Sequence, residues 1–110
     1  MPSGGAVYWA DVKPVEMLPG LIRRTLAETA DAMVVEIRAQ AGVDVARHSH
    51  PNQQITYVIS GQIELTLNGT TYTCKPGDAC AIPGGAEHSA HFPVETIVVD
   101  TFSPPRAEYR

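Results

Sequence analysis

Turn signals crowd the middle of the chain: Ser60-Gly61, Asn68-Gly69, Lys75-Pro76-Gly77-Asp78 and Pro83-Gly84-Gly85 leave no gap for a helix of ordinary length. What fits between them are short runs rich in Val, Ile, Thr and Tyr, the pattern of an antiparallel sandwich or barrel. Residues 54–60 and 62–67 form the clearest pair of expected strands, broken by Ser60-Gly61. Asn68-Gly69 closes a second hairpin onto residues 70–74, because Asn-Gly tolerates the positive φ of a type I′ turn. Three meandering strands in a row are therefore expected, followed by short strands at 79–82 and 96–102. Upstream, residues 21–26 and 32–39 read as strands, with Met33, Val35 and Ile37 on one face. The segment 24–32 is the one helical candidate, but Thr25 and Thr29 favour strand-turn-strand there.

A chain of 110 residues with 44% hydrophobic content has the size of one domain with its own core, so a single domain over residues 1–110 is expected. A formal net charge of -4 excludes the broad basic surface that a nucleic-acid partner demands. No apolar stretch approaches the roughly 20 residues that cross a bilayer, and residues 1–5 lack the basic start of a signal peptide. Neither a membrane nor a nucleic acid is an expected partner, and a cytoplasmic location is. Cys74 and Cys80 are not in a CxxC arrangement and sit on expected strands, so they read as buried free thiols.

The chemistry concentrates in four side chains. His48 and His50 stand two apart in a strand-like stretch, where period two points both rings to one side, and Gln54 follows at another even offset. On a strand that runs on, or bends only at Pro51, all three polar tips reach one point, and His88 arrives from a separate strand. Three imidazoles and an amide oxygen are a mostly neutral donor set, suited to Zn, Ni, Fe(II), Mn or Co. A His-x-His pair alone is weak, since such a pair is more often at the surface or hydrogen-bonded.

The wider spacing adds to it. Gly42, five residues, His48-x-His50, three residues, Gln54, six residues and Gly61 make one motif; Gly77, five residues, Pro83-x-Gly85, two residues and His88 make a second. Together, 15 residues apart, they resemble the two signature motifs of the cupin superfamily. That resemblance implies an all-β jelly-roll barrel, the double-stranded β-helix, with His48, His50, Gln54 and His88 as ligands of one divalent transition metal ion. Gln54 stands where most cupins carry Glu, which removes a negative charge and is expected either to weaken metal retention or to raise the positive charge offered to an anionic ligand. Phe92 stands where the second motif often ends in Asn.

The run HSHPNQQITYVISG from His48 to Gly61 and the tail DTFSPPRAEY from Asp100 to Tyr109 are similar to the KdgF group of pectin-degradation cupins. In that group Gln in place of Glu is the usual ligand, and members open cyclic 4,5-unsaturated uronates from pectin or alginate to the linear keto form. The resemblance implies that Asp100, Phe102 and Arg106 line the pocket of a uronate-like anionic substrate. Asn52 and Gln53 depart from the His and Glu more frequent there. The residues themselves are compatible with those roles. Asp100 and Phe102 share a face with Val98, and an acid on an apolar face is costly unless paired or functional. Arg106 follows a stiff Ser103-Pro104-Pro105 corner and offers a planar fork that matches a carboxylate. Each has a plainer competitor: Asp100 as a strand-end acceptor, Phe102 as core, Arg106 as a solvated charge.

Tyr8 and Trp9 read as core or dimer-interface aromatics, Tyr57 as packing opposite Gln54, and His91 as a partly exposed strand residue. A homodimer is expected from the apolar face of Met33, Val35 and Ile37. Two readings compete with the uronate enzyme: a non-catalytic metal- or ligand-binding cupin, and an Fe(II) dioxygenase acting on a small acid.

Overall fold

Alternation of buried and exposed side chains sets the architecture, because each strand can bury only every second residue. The computed structural model describes residues 4–110; the first three residues of the expected domain, and with them most of the 1–5 start, lie outside the described residues. Ten strands follow in order: β1 Val15–Leu18, β2 Leu21–Glu28, β3 Met33–Ala39, β4 Val43–His48, β5 Gln53–Ser60, β6 Ile63–Leu67, β7 Thr70–Cys74, β8 Ala79–Ile82, β9 His88–Phe92 and β10 Thr96–Ser103. Single 3-10 turns lie at Trp9–Asp11 and Ala107–Tyr109. No helix among the described residues is long and apolar enough to cross a membrane.

The strands form two antiparallel sheets, one of order β1-β2-β3-β10-β5-β8 and one of order β4-β9-β6-β7. Residues from both sheets make one core: Met33, Val35, Val58, Val98 and Phe102 from the larger, Ile63, Leu65 and Phe92 from the smaller. β10 is flanked on both sides, pairing with β3 from Thr96 to Phe102 and with β5 as far as Ser103. Its inward positions Thr96, Val98, Asp100 and Phe102 are all buried.

The expected strands are present, but the three-strand meander is not. β5 and β6 lie in different sheets, and β6 pairs with β7 and β9. The reason lies at Gly61, whose φ of 82° turns the chain across from one sheet to the other. There the chain passes so close to the start of β10 that a Cβ on Gly61 would stand 2.3 Å from the Glu95 carbonyl oxygen. Thr96 clamps the crossing, its Oγ1 accepting from the Gln62 N–H at 3.1 Å and lying 2.7 Å from the Val94 carbonyl. The Asn68-Gly69 hairpin is as expected, with both residues at positive φ. The segment around 24–32 is strand then turn, since β2 runs to Glu28.

Two packing expectations are corrected, and of the two readings of Tyr8 and Trp9 the core one is excluded. Met33, Val35 and Ile37 face inward and are buried, so they offer no open face to a second copy. Exposed large apolar side chains on the outer face of the six-stranded sheet include Ile55, Tyr57 and Ile59 of β5, so Tyr57, 45% exposed, is not a packing residue. Trp9 is outside the core: its indole N–H donates to Glu36 at 2.8 Å and its ring stacks on Arg24 at 3.9 Å, while Tyr8 is exposed. Cys74 and Cys80 are free and buried, and His91 is partly exposed, paired with Asp44 at 2.7 Å.

The crossing at Gly61 is the most sensitive backbone position. Gly61→Ala is expected to lower stability by about 2–4 kcal/mol through the clash with the β10 entry. Gly69→Ala meets open space and costs only the left-handed backbone, about 1 kcal/mol. Denaturant midpoints of the two variants check the contrast; equal losses would refute it.

Candidate metal centre

The chain crosses between the sheets a second time, from the end of β4 to the start of β5, and this crossing brings the histidines together. His48 closes β4, His50 lies in the crossing segment, and Gln54 is the second residue of β5. Period two along one continuous strand therefore does not explain the convergence; the ends of two strands from different sheets meeting at a bend does. His88 opens β9 and pairs in register with His48. The turn ahead of it packs on the crossing: Gly85 N–H donates to the His50 carbonyl at 2.8 Å, and a Cβ at Gly84 would stand 2.3 Å from the Pro51 carbonyl oxygen.

Each imidazole is oriented by a backbone carbonyl two residues away. Nδ1 of His48 is 2.9 Å from Ala46 O, Nδ1 of His88 is 2.9 Å from Ala86 O, and Nδ1 of His50 is 3.0 Å from Asn52 O. A carbonyl only accepts, so in the neutral form of each ring Nδ1 carries the hydrogen and Nε2 keeps its lone pair. Ligand atoms of the three rings lie within 4.8 Å of one another. The buried His88 Nε2 has no hydrogen-bond partner among the described residues, and His50 Nε2 stands 3.0 Å from Gln54 Oε1. Three bare nitrogens and an amide oxygen thus converge on one point, an arrangement that lone-pair repulsion disfavours until a cation sits between them. Burial, the largest cause, lowers the pKa of His50 and of His88 and holds both rings neutral, as metal ligation requires. The residues present fit a divalent metal ion of the borderline class.

The site continues inward. Gln54 Nε2 donates to Thr56 Oγ1 at 3.0 Å, and the Thr56 hydroxyl donates to Asp100 Oδ1 at 2.6 Å. Desolvation pushes the Asp100 carboxyl up to about 6, against the opposing pull of the Thr56 and Gln54 hydrogen bonds and the Arg106 charge. Asp100, His48, Gln54 and His88 line a cavity of about 80 Å³ whose remaining wall is mostly apolar, Met17 and Phe102 included. Phe102 is 1% exposed and packs edge-on against the His50 ring at 5.7 Å, so it is at once core and cavity wall.

Arg106 is not a solvated charge. Its side chain is 14% exposed and stacks on the Tyr109 ring at 4.3 Å while its Nη1 donates to the Tyr109 hydroxyl at 2.9 Å. It stands behind Tyr109 and Phe102, close enough that its charge acts on His50, His88 and Asp100. Arg23 stacks on the same Tyr109 ring at 4.7 Å, and Thr25 Oγ1 binds the Tyr109 carbonyl, which docks the tail on β2. Asn52 is buried, and its Nδ2 donates to the Pro104 carbonyl at 2.8 Å, tying the crossing that holds His50 to the tail that holds Arg106. Sequence reasoning missed Thr56, Tyr109 and Arg23. Thr56 was accessible, standing two residues from Gln54 on one face; nothing local marks the other two.

Comparison with known proteins adds four findings. The Cupin domain family matches residues 34–100. The pectin degradation protein KdgF of Dickeya dadantii (strain 3937) is 30% identical over 96 residues, 86% of this chain and 87% of that protein. Among solved structures, KdgF from Halomonas sp. superposes with a TM-score of 0.91 at 30% identity, covering 98% of this chain and 100% of that one. An RmlC-like cupin from Shewanella frigidimarina superposes at 0.92 with 27% identity over the whole of both chains.

The buried carboxyl makes stability depend on pH. The Asp100 pKa rises from 3.8 in the unfolded chain to about 6 in the folded one, so its stabilising contribution is whole below about 4 and is lost as pH rises through about 6. Asp100→Asn keeps the acceptor for Thr56 without the ionisation. The metal-free wild-type protein is expected to match this variant near pH 4 and to fall below it by up to about 3 kcal/mol at pH 7. Urea unfolding of both across that range checks the sign.

Proposed function

The chain belongs to the cupin family, and on that premise we propose that it is a metal-dependent enzyme that opens cyclic 4,5-unsaturated uronates to their linear keto form. The observation that carries the reading is the relay from the histidine cluster through Gln54 and Thr56 to a buried acid poised near neutrality. The likeness to two KdgF proteins over most of the chain supports the substrate class. In this reading His48, His50, Gln54 and His88 hold one divalent ion, which supplies Lewis-acid polarisation of the sugar's ring or hydroxyl oxygens.

Ring opening is an isomerisation and consumes no oxidant. The anomeric hydroxyl loses its proton, the bond from C1 to the ring oxygen breaks, and the enol released at C5 takes a proton at C4 to become the ketone. Asp100 is the group that accepts the first proton and returns the second, because near neutrality both of its protonation states are within reach. Thr56 and Gln54 hold that carboxyl in register with the cluster. Arg106, from behind Tyr109 and Phe102, attracts the uronate carboxylate through its charge, and Phe102 excludes water from the ring.

The test follows loss of the ring double-bond absorbance of 4,5-unsaturated galacturonate and of its alginate-derived analogue, beside metal analysis of each variant. Wild type is expected to bind one ion per chain and accelerate the loss. His50→Ala loses both ion and activity, and Asp100→Ala keeps the ion but loses activity about 100-fold or more. Arg106→Ala raises KM about tenfold with a smaller change in kcat. No acceleration above the spontaneous rate, with metal bound, sinks the enzyme reading in favour of a binding cupin.

A further inference from the structure

Away from the metal cluster, two thiols sit where the edges of the two sheets meet. Cys74 closes β7, the outer strand of the four-stranded sheet, and Cys80 lies on β8, the outer strand of the six-stranded sheet. Both side chains are buried, and their Sγ atoms are 2.7 Å apart, each the other's hydrogen-bond partner. The turn between them is fixed on both flanks. The Lys75 N–H donates to Asp78 Oδ2 at 2.9 Å, Gly77 N–H donates to the Val58 carbonyl at 2.9 Å, and Val58 N–H donates to the Asp78 carbonyl at 3.0 Å. The pair lines a separate cavity of about 270 Å³ with Leu65, Leu67 and Tyr72, room enough for molecules the size of water.

We propose that Cys74 and Cys80 are an oxidative modification site, converted by hydrogen peroxide into an intramolecular disulfide that ties the edge of one sheet to the edge of the other. One thiol attacks a peroxide oxygen, the O–O bond breaks, and a sulfenic acid and one water result. The second thiol then attacks the sulfenic sulfur and expels the second water. In sum two S–H bonds are lost and one S–S bond is gained, the protein giving up two hydrogens while peroxide is reduced to two waters. Peroxide is a fitting oxidant because the cavity beside the pair admits a molecule of its size, and the sulfurs are too buried for a bulky disulfide to reach them as readily. Burial, then the hydrogen bond from Cys74, pushes the Cys80 thiol up to about 12, so Cys80 rests as the thiol and its reaction quickens with pH. Adjacency compensates, since the resolving sulfur is already in contact when the first one is oxidised.

The experiment treats the folded full chain, loaded with zinc to avoid metal redox chemistry, with peroxide, then unfolds it in an alkylating reagent and measures the intact mass. The expected result is a single chain lighter by two hydrogens that takes up no alkyl group, and that takes up two after reduction. Cys74→Ser is expected never to lose two hydrogens. Two alkylatable thiols after peroxide, stable addition of oxygen in place of the hydrogen loss, or a link between two chains would each overturn the proposal.

Discussion

Each histidine of the cluster gives its Nδ1 hydrogen to a main-chain carbonyl, and this fixes three rings in one protonation pattern. The rest of the centre depends on that. With Nδ1 spoken for, the Nε2 atoms have only lone pairs to present to one another, and Gln54 turns an oxygen toward them as well. An unpaired set of acceptors inside a barrel is a destabilising arrangement by itself. Its persistence across two chain crossings is intelligible as the waiting coordination shell of a cation.

The same constraint runs outward through the amide. Because Gln54 commits its oxygen to the cluster, its nitrogen faces Thr56, and the threonine hydroxyl is left pointing at Asp100. One amide thus couples the histidine cluster to an ionisable acid with no charge on the connection. A glutamate at this position would place a second negative charge beside Asp100 and raise its carboxyl further. Asn52 couples the parts again from the other side, its carbonyl holding His50 and its side chain holding the Pro104 corner.

Much of this was legible in the chain. The turn signals placed most of the strands, since Gly and Asn-Gly punctuation acts locally, and the two His-bearing motifs pointed at the four side chains that converge. Two things were not legible. Strand partners depend on where the chain crosses between sheets, and nothing in residues 54–67 distinguishes a hairpin at Gly61 from a crossing; the distinction comes from Glu95 and Thr96, over thirty residues away. The two short strands β1 and β4 also escaped notice. β1 presents only four residues without a buried position, and β4 carries Asp44 and Arg47 among its apolar residues. Tyr109 and Arg23 meet through a long-range docking of the tail that no local pattern announces.

β10 lies in the interior of the larger sheet, bonded along both edges, and it carries Asp100 and Phe102. Its backbone has little freedom to shift, so reshaping the cavity falls to the side chains that it projects. Divergence of this scaffold toward different ligands is then a matter of exchanging residues at positions 100 and 102, and along the tail after Ser103, while the frame stays as it is. A lineage can explore new substrates there without first risking the fold.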